Sequence, residues 1–583
     1  MKKLLLAAAA ICVAGCETFQ PVEEKPAVTE AAQTSAVKDT ALNADKHLFL
    51  EEVEGEAALS WVKAENERSL ARLKADARFA ELESEALAIA NAKERIPYGS
   101  VRNGYVYNFW QDETNVRGLW RRTSEESYRT ETPEWETILD FDALAEAEGE
   151  NWVFKGANCL MPEGKRCIVT LSNGGKDAAI RREFDIESKS FVEGGFSLPE
   201  AKAGVEWVDQ DTLLVATDWG EDTVTESGYP YIVKVLKRGQ DMADAKELVK
   251  GQKTDVGVWP MVVELDEGRH IMGAVEADTF FTSTYWYFPD YDADPVKWPL
   301  PAKATLQGAY DGQLLVTLEQ NWSPDGQDNF KLGDLVAFSA DEFIASGGKL
   351  PKVELVYRPG PRQAVDGVSI SKTGVFISYN DNVVGKVMTA TRQESGWAFE
   401  DVDLPQNGTA GVAYTSLYDD AVFLNYEGFL SPDSLYAYNA GDRSVERIKA
   451  LPDRFDASPY VVEQFEATSK DGTKVPYFLI RAKDTVLNNE TPTLLYGYGG
   501  FQVSLNPSYS GYVGKMWLEN GGAYILANIR GGGEFGPAWH QAGLKTKRQV
   551  VYDDFIAVAE DAIGAGLTKP ERLGIMGGSN GGL

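Results

Sequence analysis

Apolar residues follow a helical spacing near the start of the chain and a strand-like spacing over most of the rest. Between residues 46 and 95 they recur three or four positions apart, and Pro97 follows as a helix breaker. From about 98 to 455, helical periodicity gives way to short β-branched and aromatic runs separated by Gly, Asp, Asn and Pro turns. We therefore predict a helical segment over 46–97, followed by a long all-β region.

The β region contains seven groups of short runs, spaced about 45–55 residues apart, near the repeat of a four-stranded propeller blade. The groups share a pattern and almost no sequence identity, and a β-sandwich array is the alternative architecture. The groups begin near Val106, Trp152, Val205, Val262, Leu306, Val365 and Val412.

The pattern changes again near residue 456. Short apolar runs at 492–496, 523–528 and 573–576 predict strands, and residues 552–563 predict a helix before the last of them. Alternation of strands and helix is typical of an α/β parallel sheet. We predict such a domain over 456–583.

Length and charge narrow the possible functions. A chain of 583 residues exceeds the usual size of one domain, and 43% apolar residues suffice for packed cores. The excess of 89 Asp and Glu over 57 Lys and Arg gives a net charge of −32. This charge disfavours nucleic acids and anionic lipid surfaces as partners.

The first sixteen residues, MKKLLLAAAAICVAGC, have the charged start and short apolar core of a targeting segment. The end, VAGC, resembles a bacterial lipobox, which predicts lipidation of Cys16 and export to the periplasmic side of a membrane. Residues 17–45 then read as a flexible tether. An ordinary secretory signal with an unmodified cysteine is the alternative.

Cys159 and Cys167 flank a predicted turn within the second group of runs. They can face each other across a hairpin, and an exported protein favours a disulfide there. Two reduced, buried cysteines are the alternative. We expect no metal site, since no histidine lies nearby, and no cofactor.

The last residues of the chain contain GGSNG at 577–581, which fits the G-x-S-x-G pattern of a nucleophile elbow. Small neighbours let a strand and a helix pass closely on either side of a serine held on a sharp turn. The run at 573–576 supplies the preceding strand. We predict that Ser579 is a nucleophile, and a serine in a structural turn is the alternative.

A serine nucleophile needs donors for the developing oxyanion and a general base. The N–H of Asn580 is one predicted donor. Tyr498, in the glycine-rich YGYGG turn after a strand, is the other, although that turn could also serve only for aromatic packing. The base is missing from the sequence pattern, because the three histidines, His47, His270 and His540, all precede Ser579. We expect His540 to be structural or to line a subsite.

Three glycine-rich motifs together resemble the catalytic domain of the prolyl oligopeptidase family of serine peptidases. They are LLYGYGGF at 494–501, ANIRGGGEFGPAWH at 527–540 and GGSNGG at 577–582. The resemblance implies a seven-bladed β-propeller over an α/β-hydrolase domain with a mostly parallel, doubly wound sheet. The helical segment 46–97 would pack on the hydrolase domain.

The resemblance also implies a function, which is cleavage of short peptides after proline through an acyl-enzyme, with folded proteins excluded by the propeller. Ser579 would be the nucleophile, Tyr498 and Asn580 the oxyanion donors, and Phe501 part of the proline pocket together with Asn580. Another P1 specificity within the family is the alternative. We expect a monomer that contacts a membrane only through its lipid anchor.

The family's catalytic Asp and His would lie beyond Leu583, so we expect the sequence to be a truncated fragment that is inactive by itself. A lipid-anchored propeller that binds ligands beside an inactive hydrolase remnant is the second reading, from a different functional class.

Overall fold

The computed structural model describes residues 46–265 and 268–583. The chain divides into two compact units, Met1–Ala90 and Asn91–Leu583. The leader 1–16, the lipidation site Cys16 and the tether 17–45 lie outside the described residues. No helix within the described residues is long and apolar enough to cross a membrane.

The described part of the first unit consists of helices, as the spacing of its apolar residues predicts. Helix α1 spans Glu56–Lys74 and α2 spans Phe79–Ala90, after a 3₁₀ turn at Leu48–Glu51. The ring of Trp61 packs against those of His47 and Phe49. The packing of segment 46–97 on a hydrolase domain stays a prediction.

The second unit begins with seven antiparallel sheets of four or five strands, one for each predicted group. Each sheet is built in sequence order, so every strand pairs with the one before it; only the last strand of the second sheet departs, pairing with β7 instead of β8. The strands of blades 1 to 3 are β1 (Ser100–Arg102), β2 (Tyr105–Trp110), β3 (Leu119–Ser124), β4 (Glu136–Asp140), β5 (Trp152–Cys159), β6 (Arg166–Asn173), β7 (Ala179–Asp185), β8 (Ser190–Phe191), β9 (Ser197–Ala201), β10 (Gly204–Asp209), β11 (Thr212–Ala216), β12 (Ile232–Lys237) and β13 (Lys246–Lys250).

Blades 4 to 7 repeat the same arrangement. Their strands are β14 (Gly257–Glu264), β15 (His270–Thr279), β16 (Thr282–Phe288), β17 (Val296–Lys297), β18 (Ala304–Tyr310), β19 (Gln313–Leu318), β20 (Leu335–Ser339), β21 (Glu354–Tyr357), β22 (Gln363–Ser371), β23 (Gly374–Asp381), β24 (Val384–Gln393), β25 (Gly396–Asp401), β26 (Thr409–Tyr414), β27 (Val422–Gly428), β28 (Ser431–Tyr438) and β29 (Val445–Ala450).

The seven sheets close into a ring through the apolar cores between them. Among the described residues, each neighbouring pair of blades shares one buried cluster, and one of the clusters joins blade 7 to blade 1. In that cluster Phe423 and Leu435 of blade 7 pack with Val101 and Val106 of blade 1. The architecture is therefore the predicted seven-bladed β-propeller, and the β-sandwich alternative is wrong.

Helices inside the propeller region are the main departure from the pattern. We find α3 at Glu125–Tyr128, α4 at Phe141–Glu148 and α5 at Ala340–Ala345. Asp140 caps the start of α4, and its carboxylate accepts from two backbone N–H groups of the first turn. Gly149, in the left-handed conformation, caps the end of the helix. Such helices have only one or two turns, so they do not produce a detectable helical period.

The remaining strands form one mixed sheet in the order β30-β31-β33-β32-β34. The two long strands β30 and β31 are antiparallel, while β32 lies parallel to β33 on one side and to β34 on the other. Leu495 of β32 stands level with Ile525 and Ile575. The strands are β30 (Tyr460–Thr468), β31 (Lys474–Ala482), β32 (Thr493–Tyr496), β33 (Ala523–Ala527) and β34 (Leu573–Met576).

Helices α6 (Pro537–Ala542) and α7 (Gln549–Gly564) lie between β33 and β34 in the chain. Buried residues of α7, among them Val551 and Val558, share a core with Leu495 and Ile525 of the sheet. A parallel sheet segment with a helix packed on it is the predicted α/β arrangement. It brings the carboxyl ends of β32, β33 and β34 to one edge, where the three glycine-rich motifs follow them.

Candidate active site

The turn after β34 holds Ser579 in a left-handed backbone conformation, with φ of 49°. Ser579 then begins a short 3₁₀ helix, Ser579–Gly582. A Cβ on Gly577 would overlap the carbonyl oxygen of Gly581, and one on Gly581 would lie 2.5 Å from the carbonyl oxygen of Gly497. The glycines are therefore required by close backbone packing, and the strained serine sits on a tight strand–turn–helix.

The loop after β32 lies directly beside this turn. Tyr496, the last residue of β32, pairs with Met576 of β34, so the two following loops start at the same level. The side-chain Nδ2 of Asn580 donates to the carbonyl oxygen of Tyr498 at 2.7 Å. A Cβ on Gly500 would overlap the Asn580 side chain. The structure thus brings together Ser579, Asn580 and Tyr498, as the sequence predicts; their catalytic roles stay predictions.

The two predicted catalytic hydroxyls are not used for structural bonding. Within the described residues, no hydrogen bond engages the side-chain oxygen of Ser579 or that of Tyr498, and Tyr498 is half-buried. Both groups are thus available to a ligand.

Phe501 follows the same loop and is also left-handed, with φ of 54° and 51% of its surface exposed. Its ring lies 5.9 Å, edge to face, from that of Phe280. Phe280 belongs to the turn between β15 and β16 of propeller blade 4. An exposed ring that packs against a second aromatic ring suits an apolar, rigid ligand group. The assignment of Phe501 to a proline pocket stays a prediction.

His540 lies at the end of α6 and is 3% exposed. Its ring packs at a tilt against that of Phe281, the next residue of the same propeller turn, with 5.2 Å between the ring centroids. Burial and the nearby charge of Lys303 lower the pKa of His540, and its Nε2 has no hydrogen-bond partner within the described residues. Neither His540 nor His270, which starts β15, is hydrogen-bonded to Ser579 in the part of the chain that the structure describes. That His540 is structural or lines a subsite stays a prediction.

Arg548, at the start of α7, is a site residue that the sequence analysis missed. Its guanidinium donates to the carbonyl oxygen of Gly499 at 2.7 Å and to the side-chain Oδ1 of Asn580 at 3.0 Å. In the sequence it stands in the basic run KTKR, which looks like a solvated surface. No local pattern distinguishes it from Lys545 or Lys547.

Two buried acidic groups support the motif that follows β33. Glu534 is 1% exposed and accepts a hydrogen bond from the Leu505 N–H at 3.0 Å, and burial raises its pKa to about 7. Asp554 of α7 accepts from the side chain and the backbone N–H of Arg530. These bonds attach the loop IRGGGEFG to the loop that carries Phe501 and to α7.

Among residues 46–265 and 268–583, one group of side chains has the spacing of metal ligands, and it lies apart from these motifs, in and next to blade 4. The ligand atoms of Asp255, Glu276 and Asp278 are within 4.8 Å of one another. Glu276 accepts from the Trp286 indole at 2.8 Å, Asp255 accepts from the Gln252 N–H, and burial raises the pKa of Glu276. Protein donors therefore satisfy part of this group, and burial favours the protonated form of Glu276.

The two parts of the chain match two family patterns. Residues 26–450 match the prolyl oligopeptidase N-terminal β-propeller domain, and residues 507–583 match the prolyl oligopeptidase family. The first match alone covers more than half of the sequence. The chain belongs to the prolyl oligopeptidase family. It is therefore a member of a family of serine peptidases, and its fold is a seven-bladed propeller with part of an α/β-hydrolase sheet.

Individual relatives agree with this assignment. The uncharacterized peptidase y4nA of Sinorhizobium fredii is 45% identical over 543 residues, which are 92% of this chain and 75% of that protein. The prolyl endopeptidase of Elizabethkingia miricola is 36% identical over 208 residues, 36% of this chain and 29% of that enzyme. A solved structure, that of a post-proline cleaving enzyme from Rickettsia typhi, is similar with a TM-score of 0.81 and 34% identity, over 92% of this chain and 79% of that chain.

The aromatic contacts join the two domains that the family patterns describe, the propeller and the hydrolase domain. Substrates of the prolyl oligopeptidase family are oligopeptides. In this chain Phe280 and Phe281 of blade 4 reach Phe501 and His540 of the hydrolase domain. The propeller thus contributes side chains next to the candidate active site.

Proposed function

We propose that this protein is a serine endopeptidase that hydrolyses short peptides on the carboxyl side of proline. The observation that carries the proposal is the left-handed Ser579 at a tight strand–turn–helix, beside the loop that carries Tyr498, in a chain of the prolyl oligopeptidase family. The exposed Phe501 ring supports proline as the preferred residue. So does the similarity to an enzyme from Rickettsia typhi that is described as post-proline cleaving.

The proposed reaction forms and hydrolyses an acyl-enzyme. The Ser579 oxygen attacks the carbonyl carbon of the scissile bond and transfers its proton to a general base. The Asn580 N–H and the Tyr498 hydroxyl donate to the resulting oxyanion. The protonated base then gives its proton to the leaving nitrogen, so that collapse of the intermediate expels the amine and leaves an ester on Ser579. Water, losing a proton to the same base, attacks this ester, releases the acid and restores the serine hydroxyl.

The described residues do not identify the general base that this mechanism needs. Neither His270 nor His540 bonds to Ser579, and the pKa of His540 is lowered by its burial. We therefore expect the polypeptide of 583 residues to hydrolyse peptides several orders of magnitude more slowly than a complete triad would. This same observation favours the second candidate function, a propeller that binds peptides without cleaving them.

Peptide hydrolysis distinguishes the candidates. The enzyme is expressed from its complete reading frame and assayed on matched nitroanilides that end in Gly-Pro, Gly-Ala and Gly-Arg. We expect kcat/KM to favour proline by at least about 100-fold. Ser579→Ala should abolish turnover, and Tyr498→Phe should lower kcat by about 10- to 100-fold. Preference for Arg would replace the proline assignment, and tight binding of peptides without turnover would favour the binding protein.

We also propose that the protein is exported and anchored through a lipid on Cys16, as a monomer. The motif VAGC after a short apolar segment supports the anchor. In bacterial cells that express the protein, radiolabelled palmitate should enter the wild type and fail to enter Cys16→Ser. Release of unlabelled wild-type protein into the soluble periplasm would contradict the anchor and leave the peptidase proposal untouched.

A further inference from the structure

The Asn580 side chain is held at both of its polar atoms by two neighbours from different parts of the chain. Its Nδ2 donates to the Tyr498 carbonyl oxygen at 2.7 Å, and its Oδ1 accepts from Arg548 at 3.0 Å. Arg548 also donates to the Gly499 carbonyl oxygen at 2.7 Å. The bonds form a closed loop through four residues: Arg548, Gly499, Tyr498 and Asn580.

The closed loop joins the two segments that carry the proposed oxyanion donors. One donor is the Asn580 N–H, which directly follows Ser579, and the other is the hydroxyl of Tyr498. Both segments are short glycine-rich turns, which have few side chains to hold them in position. The pairing of β32 with β34 and the close packing of Gly581 on Gly497 hold the bases of the two turns, and the closed loop adds side-chain bonds beyond them.

Arg548 makes no ion pair among the described residues. Its guanidinium instead donates to the backbone carbonyl oxygens of Gly499 and Asn580 and to the Asn580 carboxamide, and the Tyr552 ring lies at 5.5 Å. Arginine suits such a role because its planar fork presents several donors in fixed directions, which an ammonium group does not. All three hydrogen bonds end on the two segments that carry the proposed oxyanion donors.

We propose that Arg548 is a positioning residue that sets the distance between the two oxyanion donors of the active site. It touches neither substrate nor the reacting atoms and acts through Gly499 and Asn580. The proposal rests on the proposed function, because it needs Ser579 as the nucleophile and Tyr498 and Asn580 as the donors. No motif assigns the residue.

The first test separates positioning from general stabilisation. In the enzyme expressed from its complete reading frame, Arg548→Met should lower kcat by about 10- to 100-fold and leave KM within about 2-fold, because only the transition state uses the donors. Affinity for a peptide aldehyde, which forms an oxyanion on Ser579, should fall by the same factor. Binding of the same peptide as an amide should not change. Lys547→Met, at an exposed neighbouring position, is the matched control.

A second substitution of Arg548 and a double-mutant cycle with Tyr498 separate loss of positioning from loss of folding. Arg548→Lys keeps the charge and loses the fork, so it should remain folded and show most of the kcat loss. In a double-mutant cycle, Tyr498→Phe should cost less in the Arg548→Lys background than in the wild type, since misplaced donors contribute less. Additive effects, or equal losses in amide and aldehyde binding, would overturn the positioning role. A wild type that cleaves no peptide would instead refute the proposed function itself.

Discussion

Ser579 has a backbone conformation that non-glycine residues avoid. A left-handed φ costs a serine about 1 kcal/mol, and such strain persists where the surrounding structure enforces it. Here the enforcement comes from the pairing of β34 with β32 and from glycines whose neighbours leave no room for a side chain. The serine at this strained position is exposed, and no hydrogen bond from the described residues engages its hydroxyl.

Protonation of Glu534 affects the stability of the fold. Burial raises the pKa of this carboxyl from an ordinary value near 4.5 to about 7, and its Oε2 has no hydrogen-bond partner among the described residues. A carboxyl with a raised pKa stabilises the fold fully below pH 4.5, and that contribution is lost as the pH rises through 7. The loss amounts to about 3 kcal/mol.

We predict that Glu534→Gln removes this dependence. Urea denaturation of the wild type should give a lower free energy of unfolding at pH 8 than at pH 5, and the difference should shrink by most of that amount in the variant. Glu560→Gln, on the exposed face of α7, should keep the wild-type profile. An unchanged profile in Glu534→Gln would show that the carboxyl is ionised at neutral pH.

Residues of the site differ in how far the sequence reveals them. Ser579, Asn580 and Tyr498 are predictable because close backbone approach requires glycines, and glycines at fixed offsets are visible in the chain. Arg548 and Glu534 are not, because their partners are backbone groups and an amide distant in sequence. Phe280 escapes prediction for the same reason, since its partner Phe501 is 221 positions away.

Helix α7 is positioned by an ion pair that its own sequence pattern does not show. Asp554 is completely buried and accepts from the Arg530 backbone N–H and side chain. The guanidinium also pairs with Asp471, in the hairpin between β30 and β31, and holds the pKa of that carboxyl well below its usual range. Arg530 thus connects helix α7, the hairpin between β30 and β31, and the loop that follows β33.

We predict that Asp554→Asn destabilises the protein by about 3 kcal/mol, because it leaves a buried guanidinium charge with incomplete compensation. Chemical denaturation at pH 7 measures the change. Asp553→Asn, at the neighbouring and partly exposed position, should change stability by less than about 0.5 kcal/mol. Equal effects of the two substitutions would mean that α7 does not depend on the buried pair.

At the scale of elements, the sequence predicts strands and helix α7 well and the short propeller helices poorly. The observed helix, Gln549–Gly564, extends the predicted one by three residues at its start and one at its end. Apolar runs such as 573–576 predict β34 to the residue. Helix α4 was missed because its start depends on the cap at Asp140 rather than on periodicity.

The propeller ring closes between blade 7 and blade 1 without a shared strand. Each sheet uses only its own strands, so side chains of the shared cluster carry the closure. The Phe423 ring lies 5.6 Å from that of Tyr128 at this junction. The Tyr414 hydroxyl also donates to the Val101 carbonyl oxygen.

We predict that Phe423→Ala weakens the closure and costs about 3–5 kcal/mol. Hydrogen exchange should accelerate in β1 and β2 of blade 1 more than in blades 3 to 5, because blade 1 loses part of its packing against blade 7. Phe399→Ala, at a partly exposed position of blade 6, is the control. Uniform acceleration across all blades would contradict a local junction and indicate global destabilisation.

The number of blades follows from the spacing of the strand groups, because each blade buries its faces against two neighbours and so repeats the same pattern. The spacing of the strand groups does not predict the contacts between the propeller and the mixed sheet. Asn382 and Gln464, for example, exchange two hydrogen bonds across that boundary, and polar pairs of this kind carry no periodic signal.

The parallel pairing of β34 with β32 has a consequence for biosynthesis. All seven blades precede β34 in the chain, and domains fold largely in the order in which they leave the ribosome. The serine of the proposed peptidase therefore cannot reach its strained position until the propeller has been synthesised. We expect a folding chain to acquire the barrier that restricts entry before it acquires the nucleophile.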